Sequence, residues 1–241
     1  MPIIAEQGYL IPAIGDIYER CAMRLRDSIW RWHPSANITV VTENMLPRGN
    51  VGGQANDPQM FAVSPYRQTI KLEADMLCTG PIDHWWTLFE NRDVVISQGC
   101  RNFYGQRSSC RFYRKIFDDN NLPDVYNAIT YWRLSQTARD FFQWVQRIFE
   151  SWPKYRSLLK FPDEQPTTDV VYAMAAVIMG PERLTLPTGL GPTIVHMKKH
   201  INGLKSEDWS QELVWEHTDP GLRINTVSQW GLFHYHIKEW Q

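Results

Sequence analysis

The stretch "IKLEADML", residues 70–77, decides how the rest of the chain is read. It closes an apolar run and then presents Glu73 and Asp75, separated by a single alanine. On extended backbone, side chains two apart share a face, so the two carboxylates can converge on one point. In open α/β sheets, ligands sit beyond the carboxyl ends of strands, which is where this pair falls. Two oxygen ligands there suit Mg²⁺ or Mn²⁺, which leave positions for water and phosphate oxygens. The same tripeptide also fits a polar strand exit with solvated carboxylates. Its surroundings have to decide.

Upstream, "DIYERCAMRLRDSIWRW" (16–32) spaces Ile17, Cys21, Leu25 and Ile29 four apart, one face of a helix. Asp16 and Glu19 have capping-box spacing, and Pro34 closes the segment. "NITVVTE" (37–43) is a β-branched run fit for a buried strand, and the apolar Met1–Ala5 reads as a short strand before the helix. This is a β-α-β opening with a right-handed crossover. Residues 47–60 read as a loop, and "RQTIKL" is the strand that ends at the carboxylate pair.

Downstream, "PIDHWWTLF" predicts a short helix, "DVVISQG" and "VYNAITYWR" predict strands, and "SQTARDFFQWVQRIFESW" predicts an amphipathic helix. "TTDVVYAMAAVIM" is a small-residue, buried helix, and "GPTIVHM" and "QWGLFHYHI" are late strands. His234 and His236 alternate with Tyr235 on one strand face, which fits a second polar site or, the favoured reading, the exposed side of an edge strand. The alternation of elements predicts an α/β fold, a mixed Rossmann-type sheet flanked by helices. A single domain over 1–241 is expected, with a core to about residue 210 and a C-terminal extension over 211–241.

Composition bounds the partners. Lys and Arg total 25 against 26 Asp and Glu, so only local patches can speak for a polyanionic partner. Four cysteines, Cys21, Cys78, Cys100 and Cys110, lack CxxC spacing and fit a reducing compartment. With no apolar stretch near the ~20 residues that span a bilayer, a cytoplasmic protein without a membrane partner is expected.

"SPYRQTIKLEADMLCTGPIDHWWTLFE" (64–90) resembles the central signature of A-type (GT-A fold) nucleotide-sugar glycosyltransferases, close to the glycogenin-like branch. Tyr66, an apolar strand, Glu73-Ala74-Asp75, Met76, "PID" and Leu88-Phe89 fall in the family's order, with Glu73 where the family usually has Asp. "RDSIWRWHPSANITVVTE" is similar to the first crossover helix and second strand. "VYNAITYW" resembles the Asn-small-Gly strand with Ile129 in place of the glycine, and "TTDVVYAM" resembles a carboxylate-Gln helix start with Asp169 matching and Val170 departing. "IVHMKKHINGLKSEDW" resembles the terminal metal-ligand segment His-x-x-Gly-x-x-Lys-Pro-Trp in stretched form, through His196, Gly203, Lys205 and Trp209.

The resemblance implies a metal-dependent transfer of a sugar from a nucleotide diphosphate sugar, with uridine, to an acceptor hydroxyl with retention of configuration. It implies Mn²⁺ or Mg²⁺ on Glu73, Asp75 and His196, with Glu73 reaching the metal directly or through ribose. Asp169 would face the reacting sugar and Lys205 would neutralise the departing phosphate. Gln7, Tyr9, Tyr66, Arg67 and Asn127 would hold the donor, and Thr130 would face the acceptor cleft.

For the acceptor, "YGQRSSCRFYRK" (104–115) interleaves Arg107, Arg111, Arg114 and Lys115 with Tyr104, Phe112 and Tyr113. Basic groups among aromatics can follow a phosphate backbone and stack bases, so Arg107, Arg111 and Tyr113 are candidate contacts to DNA. A phage-type transfer to a hydroxymethylated pyrimidine, flipped out of the stack, is one expectation. The plainer one is a positive rim that attracts the donor. Two other classes compete: a non-catalytic nucleic-acid-binding module on a degenerate transferase fold, and a nucleotidyltransferase. "AEQGYLIPAIG" (5–15) supplies no Gly-rich phosphate loop for the last.

Overall fold

The computed structural model describes residues 2–108, 114–187, 189–219 and 221–240. Strand β1 (Ala5–Pro12) leads through α1 (Asp16–Trp32) to β2 (Ile38–Val41). A loop and the short α2 (Met60–Val63) precede β3 (Tyr66–Leu72) and β4 (Met76–Cys78), so the Glu73–Asp75 tripeptide is the link between two strands. Next come α3 (His84–Phe89), β5 (Val94–Gln98), β6 (Cys100–Arg101), α4 (Lys115–Asp119) and β7 (Val125–Arg133). The helical stretch α5 (Gln136–Glu150), α6 (Trp152–Leu159), α7 (Thr168–Met179) and α8 (Pro181–Leu184) follows. The chain closes with β8 (Ile194–His196), α9 (Lys199–Asn202), β9 (Trp215–His217), β10 (Leu222–Ile224), β11 (Val227–Ser228) and β12 (Leu232–His234).

The main sheet has the order β2-β1-β3-β7-β5, with β1 parallel to β2 and β3, and β7 antiparallel to β3 and β5. The fold is therefore α/β with a mixed central sheet flanked by helices. Both faces are covered, and side-chain alternation divides them. Tyr9, Ile11, Ile70 and Leu72 pack with α1 and the second sheet, while Leu10, Val94, Ile96 and Trp132 pack with Phe141, Phe142 and Tyr172 of α5 and α7. Cys21, Leu25 and Ile29 are buried as their spacing predicts.

Two expectations change. The first strand runs to Pro12 instead of ending at Ala5, because Tyr9-Leu10-Ile11-Pro12 pair residue by residue with Ile38-Thr39-Val40-Val41. The exit of β1 thus moves to Pro12–Ile14. The second concerns 211–241, expected as an extension. It supplies β12, an interior strand of a four-stranded sheet β4-β12-β8-β6. Trp209 Nε1 donates to the carbonyl of Tyr235 at 2.8 Å, and Trp209, Tyr235 and Trp240 are all buried together. Among the described residues, no helix is long and apolar enough to cross a membrane.

One close approach pins β1 to β3. The Tyr66 ring lies over Gly8, where an added Cβ would come within 2.4 Å of ring carbons, and its hydroxyl is 2.6 Å from Thr39 Oγ1. Both rows are backbone-paired, so neither can retreat. Gly8→Ala should therefore destabilise the chain by about 1–3 kcal/mol, seen as a lower urea midpoint with an unchanged slope.

Candidate active site

The carboxyl ends of β1 and β3 open into a cavity of about 620 Å³. Its first wall is the β3–β4 link. Glu73 N donates to the carbonyl of Ala128 and Tyr235 N donates to the carbonyl of Asp75, each at 3.2 Å, so the backbone at both carboxylate residues is held by its neighbours. The Asp75 side chain is 6% exposed, and it contacts Lys238 Nζ and lies 3.1 Å from His234 Nε2. Glu73, a third exposed at its side chain, reaches the same His234 nitrogen at 3.4 Å.

Electrostatics separates the pair. Burial opposes ionisation of Asp75, but His234 and Lys238 outweigh it and hold its carboxyl well below the usual carboxylate range. Burial raises Glu73, and Asp75 and Asp169 push in the same direction against the pull of His234. Burial also works against a charged His234, yet Asp75 and Glu73 prevail and raise it. Neighbouring carboxylates thus have opposite tendencies, which suits one fixed charge beside one proton-accepting group.

The second wall is imidazole. Parallel pairing of β12 with β8 sets His234 directly beside His196, with ring centres 5.1 Å apart. His236 follows with a left-handed backbone, φ 61°, which folds its ring onto His234 at 3.9 Å. His236 Nε2 then lies 3.1 Å from His196 Nδ1. Burial, and the nearby imidazoles after it, hold His196 and His236 well below the usual histidine value, so both are neutral at pH 7.

The third wall is a hydrogen-bonded floor. Lys71 is fully buried, and its ammonium donates at 2.6 Å to both Asp57 Oδ1 and Asn127 Oδ1. The hydroxyl of Tyr172 donates to the other Asp57 oxygen. Asp169 accepts from the backbone N of Asn127 at 2.7 Å and from Arg114 Nη1 at 3.1 Å. The Arg114 guanidinium is itself sandwiched between the Phe117 and Tyr126 rings, 3.8 and 3.9 Å from their centres. The start of α7 is capped by Thr167, which leaves the Asp169 carboxylate to face the cavity.

Of the residues expected from sequence, the cavity brings together Glu73, Asp75, Asn127, Asp169 and His196. Gln7, Tyr9, Tyr66 and Arg67 are not among its lining residues. Because β1 and β3 are parallel, their early residues lie at the opposite edge of the sheet from the carboxyl ends. Tyr9 is in the core against Trp86, Gln7 is near Gln68, Tyr66 is over Gly8, and Arg67 pairs with Glu6 at the surface. The β1 exit instead offers Pro12, Ile14 and, from α1, Tyr18.

Lys205 is exposed and outside the cavity, its backbone N donating to Glu212 at 3.0 Å. Thr130 is fully buried beneath Asn127, to which its hydroxyl donates. Arg107 is exposed on a bridge to Arg101, away from the cavity lining. Arg111 and Tyr113 lie outside the described residues.

Sequence reasoning missed Asp57, Lys71, Arg114, His234, His236 and Lys238 as cavity groups. A signal existed for the last three. A Lys-x-Trp ending stands at Lys238-Glu239-Trp240, four residues after His234, two residues shorter than the motif's His-to-Lys spacing and with Ile237 in place of its glycine. The histidine alternation pointed to an exposed edge. The structure buries His234 in an interior strand and ends that strand before His236. For Lys71 the signal was one charge inside an apolar strand.

A divalent cation fits these donors. Glu73, Asp75 and His234 each offer a ligand atom within 4.8 Å of the others. Carboxylate oxygen with one imidazole is a donor set for Mn²⁺ or Mg²⁺. Lys238 already contacts Asp75, so an ion there shares or displaces that ammonium.

No protein-family profile matches the chain, and no curated protein matches it. Among solved structures it is similar to galactosyltransferase LgtC in complex with donor and acceptor sugar analogues, at 13% identity and TM-score 0.48, over 95% of this chain and 87% of that one. It is also similar to mouse xyloside xylosyltransferase 1, at 11% identity and TM-score 0.44, over 76% and 84% of the two chains. A glycosyltransferase involved in glycosylation of the major capsid of PBCV-1 matches at 14% identity and TM-score 0.42, over 78% and 81%. Likenesses this distant leave the chemistry to be read from the cavity itself.

Lys71→Met should destabilise by about 3 kcal/mol in urea unfolding, since it leaves Asp57 half-buried without its cation. The Asp75–His234 pair predicts a pH window. A depressed Asp75 adds stability above the ordinary value of 3.8 that is lost as pH falls through its folded value. A raised His234 adds stability that is full below 6.5 and lost as pH rises through its folded value. The melting temperature of the native chain minus that of Asp75→Asn should peak between these limits. Above them a remainder persists, because Lys238 stays charged beside Asp75.

Proposed function

We propose that the chain is a glycosyltransferase that moves a sugar from a nucleotide diphosphate sugar, with UDP as the leaving group, to an acceptor hydroxyl. The observation that carries this is the convergence of Glu73, Asp75, His234 and Lys238 in one cavity at the carboxyl ends of parallel strands. The main demand of such a transfer is to stabilise a departing diphosphate. A bound Mn²⁺ or Mg²⁺ supplies a Lewis acid and a template for the two phosphates. Asp75, His234 and Glu73 would hold it, while His196 stands behind His234.

The remaining residues divide the work. Lys238 takes the role first sought at Lys205, placing an ammonium beside the leaving phosphate, with Lys198 on the same cavity wall. Asp169 is gripped by Arg114 and the Asn127 backbone, which holds its carboxylate in place to orient the sugar. The proton balance then follows a retaining, front-face course. The anomeric carbon–phosphate oxygen bond breaks, the acceptor oxygen bonds to that carbon on the same face, and the acceptor proton passes to the departing phosphate oxygen. Asp57, Lys71 and Asn127 form a floor of donors and acceptors for hydroxyl groups.

A carbohydrate hydroxyl is the favoured acceptor. Arg114, counted in the basic stretch that suggested DNA, turns inward to pair with Asp169 and leaves the phosphate-tracking strip incomplete. A hydroxymethylated base in DNA is the second acceptor, carried by exposed Tyr104 and Arg107.

UDP with Mn²⁺ at ~100 times its Kd should raise the melting temperature by roughly 5 °C or more. Asp75→Ala should abolish the shift, and a native chain that shifts with no nucleotide diphosphate would remove the proposal. Labelled donor offered with oligosaccharide or hydroxymethylated DNA reads out the acceptor. In that assay Lys238→Ala should lower turnover by about 10²-fold, as loss of one transition-state charge contact does, while Lys205→Ala leaves it unchanged.

A further inference from the structure

The carboxylate site uses one face of His234 and leaves a second group of donors unexplained. His196, His234 and His236 each offer a ring nitrogen, and the three lie within 4.8 Å of one another. His196 and His234 are only 3% and 4% exposed. His196 Nε2 and His234 Nδ1 are buried with no hydrogen-bond partner, an arrangement that costs free energy unless something binds there. His196 Nδ1 and His236 Nε2 are 3.1 Å apart. Two nitrogens bonded tetrahedrally to one Zn²⁺ at about 2.0–2.1 Å sit roughly 3.3–3.4 Å apart, so this hydrogen-bonded pair needs to open by only a few tenths of an ångström to share an ion.

The backbone builds the cluster from three independent constraints. Pairing of β12 with β8 sets His234 against His196. The left-handed residue His236 folds back onto both. Asn202 Nδ2 donates to the His196 carbonyl at 2.8 Å and holds the end of β8. Of the cations that act on these rings, Arg114 pairs with Asp124 and Asp169, and Lys238 with Asp75, while Lys198 also faces the cluster.

We infer that His196, His234 and His236 form a nitrogen-donor metal site, separate in chemistry from the Glu73–Asp75 pair, that takes a borderline divalent cation such as Zn²⁺ or Co²⁺ in preference to Mg²⁺. Imidazole favours such ions, whereas carboxylate and water favour Mg²⁺ and Mn²⁺. His234 belongs to both groups, with its Nε2 facing the carboxylates, so the two sites meet at one ring. The site stands whether or not the chain transfers sugar.

The test is a Co²⁺ titration of the purified full chain without nucleotide, followed by visible absorption. One equivalent of Co²⁺ should develop bands that Zn²⁺ removes and a ~100-fold excess of Mg²⁺ does not. His236→Gln, which removes one donor ring, should weaken Co²⁺ binding at least about tenfold, and Asp75→Asn, which removes only a partner of His234 Nε2, should weaken it less. Circular dichroism and melting temperature confirm that each variant is folded. X-ray absorption of the Zn²⁺-loaded native chain supplies a readout that needs no variant, with two or three imidazole ligands expected. Absence of Co²⁺ bands, loss of the bands in Asp75→Asn but not His236→Gln, or a Zn²⁺ shell with at most one imidazole would each overturn the inference.

Discussion

A carboxylate buried as deeply as Asp75 stays charged only if opposite charge reaches it, and that charge comes from the other end of the chain. His234 and Lys238 meet a residue more than 150 positions earlier, and Tyr235 N donates to the Asp75 carbonyl. These contacts require β12 to lie between β4 and β8. They also require the chain after His234 to turn back over the cavity, which the left-handed His236 accomplishes. The Asp75 contact thus joins the two sheets and one wall of the cavity in a single electrostatic constraint.

The floor obeys the same rule on a different set of groups. Lys71 lies in β3, an interior strand of the main sheet, and its ammonium is tolerable only because Asp57 and Asn127 accept from it. Asp57 in turn is braced by Tyr172 from α7, and Asn127 passes the constraint to Asp169 through its backbone. A loop, two strands and a helix are therefore held in register by polar contacts that an apolar core would not specify. The cavity is rigid at its floor and charged along its walls, a combination that suits orientation of a polar, anionic ligand.

Much of this was legible in residue order. The four-residue spacing of Cys21, Leu25 and Ile29, the β-branched "ITVV" and the amphipathic α5 each become the element their pattern predicts. Period and propensity are local properties, and burial on a sheet face reads directly as alternation. The carboxylate-x-carboxylate pair was legible for the same reason, since two residues apart on extended backbone means one face. Where pattern failed, the cause was long-range pairing. The extent of β1 was misjudged because Glu6 and Gln7 interrupt the apolar run, and the strand beyond them is defined by its partner β2. His234 and His236 look like an exposed edge until β8 and β4 cover both sides of β12.

The sequence by itself determined the α/β class, the strand that delivers Glu73 and Asp75, and the helix that presents Asp169. All three follow from periodicity and from the chemistry of residues close in the chain. Only the tertiary structure decided which histidine and which lysine face Asp75. Lys205 and Lys238 offer the same ammonium, and His196 and His234 the same imidazole. Strand order, together with the turn at His236, places one of each lysine and histidine pair in contact with Asp75.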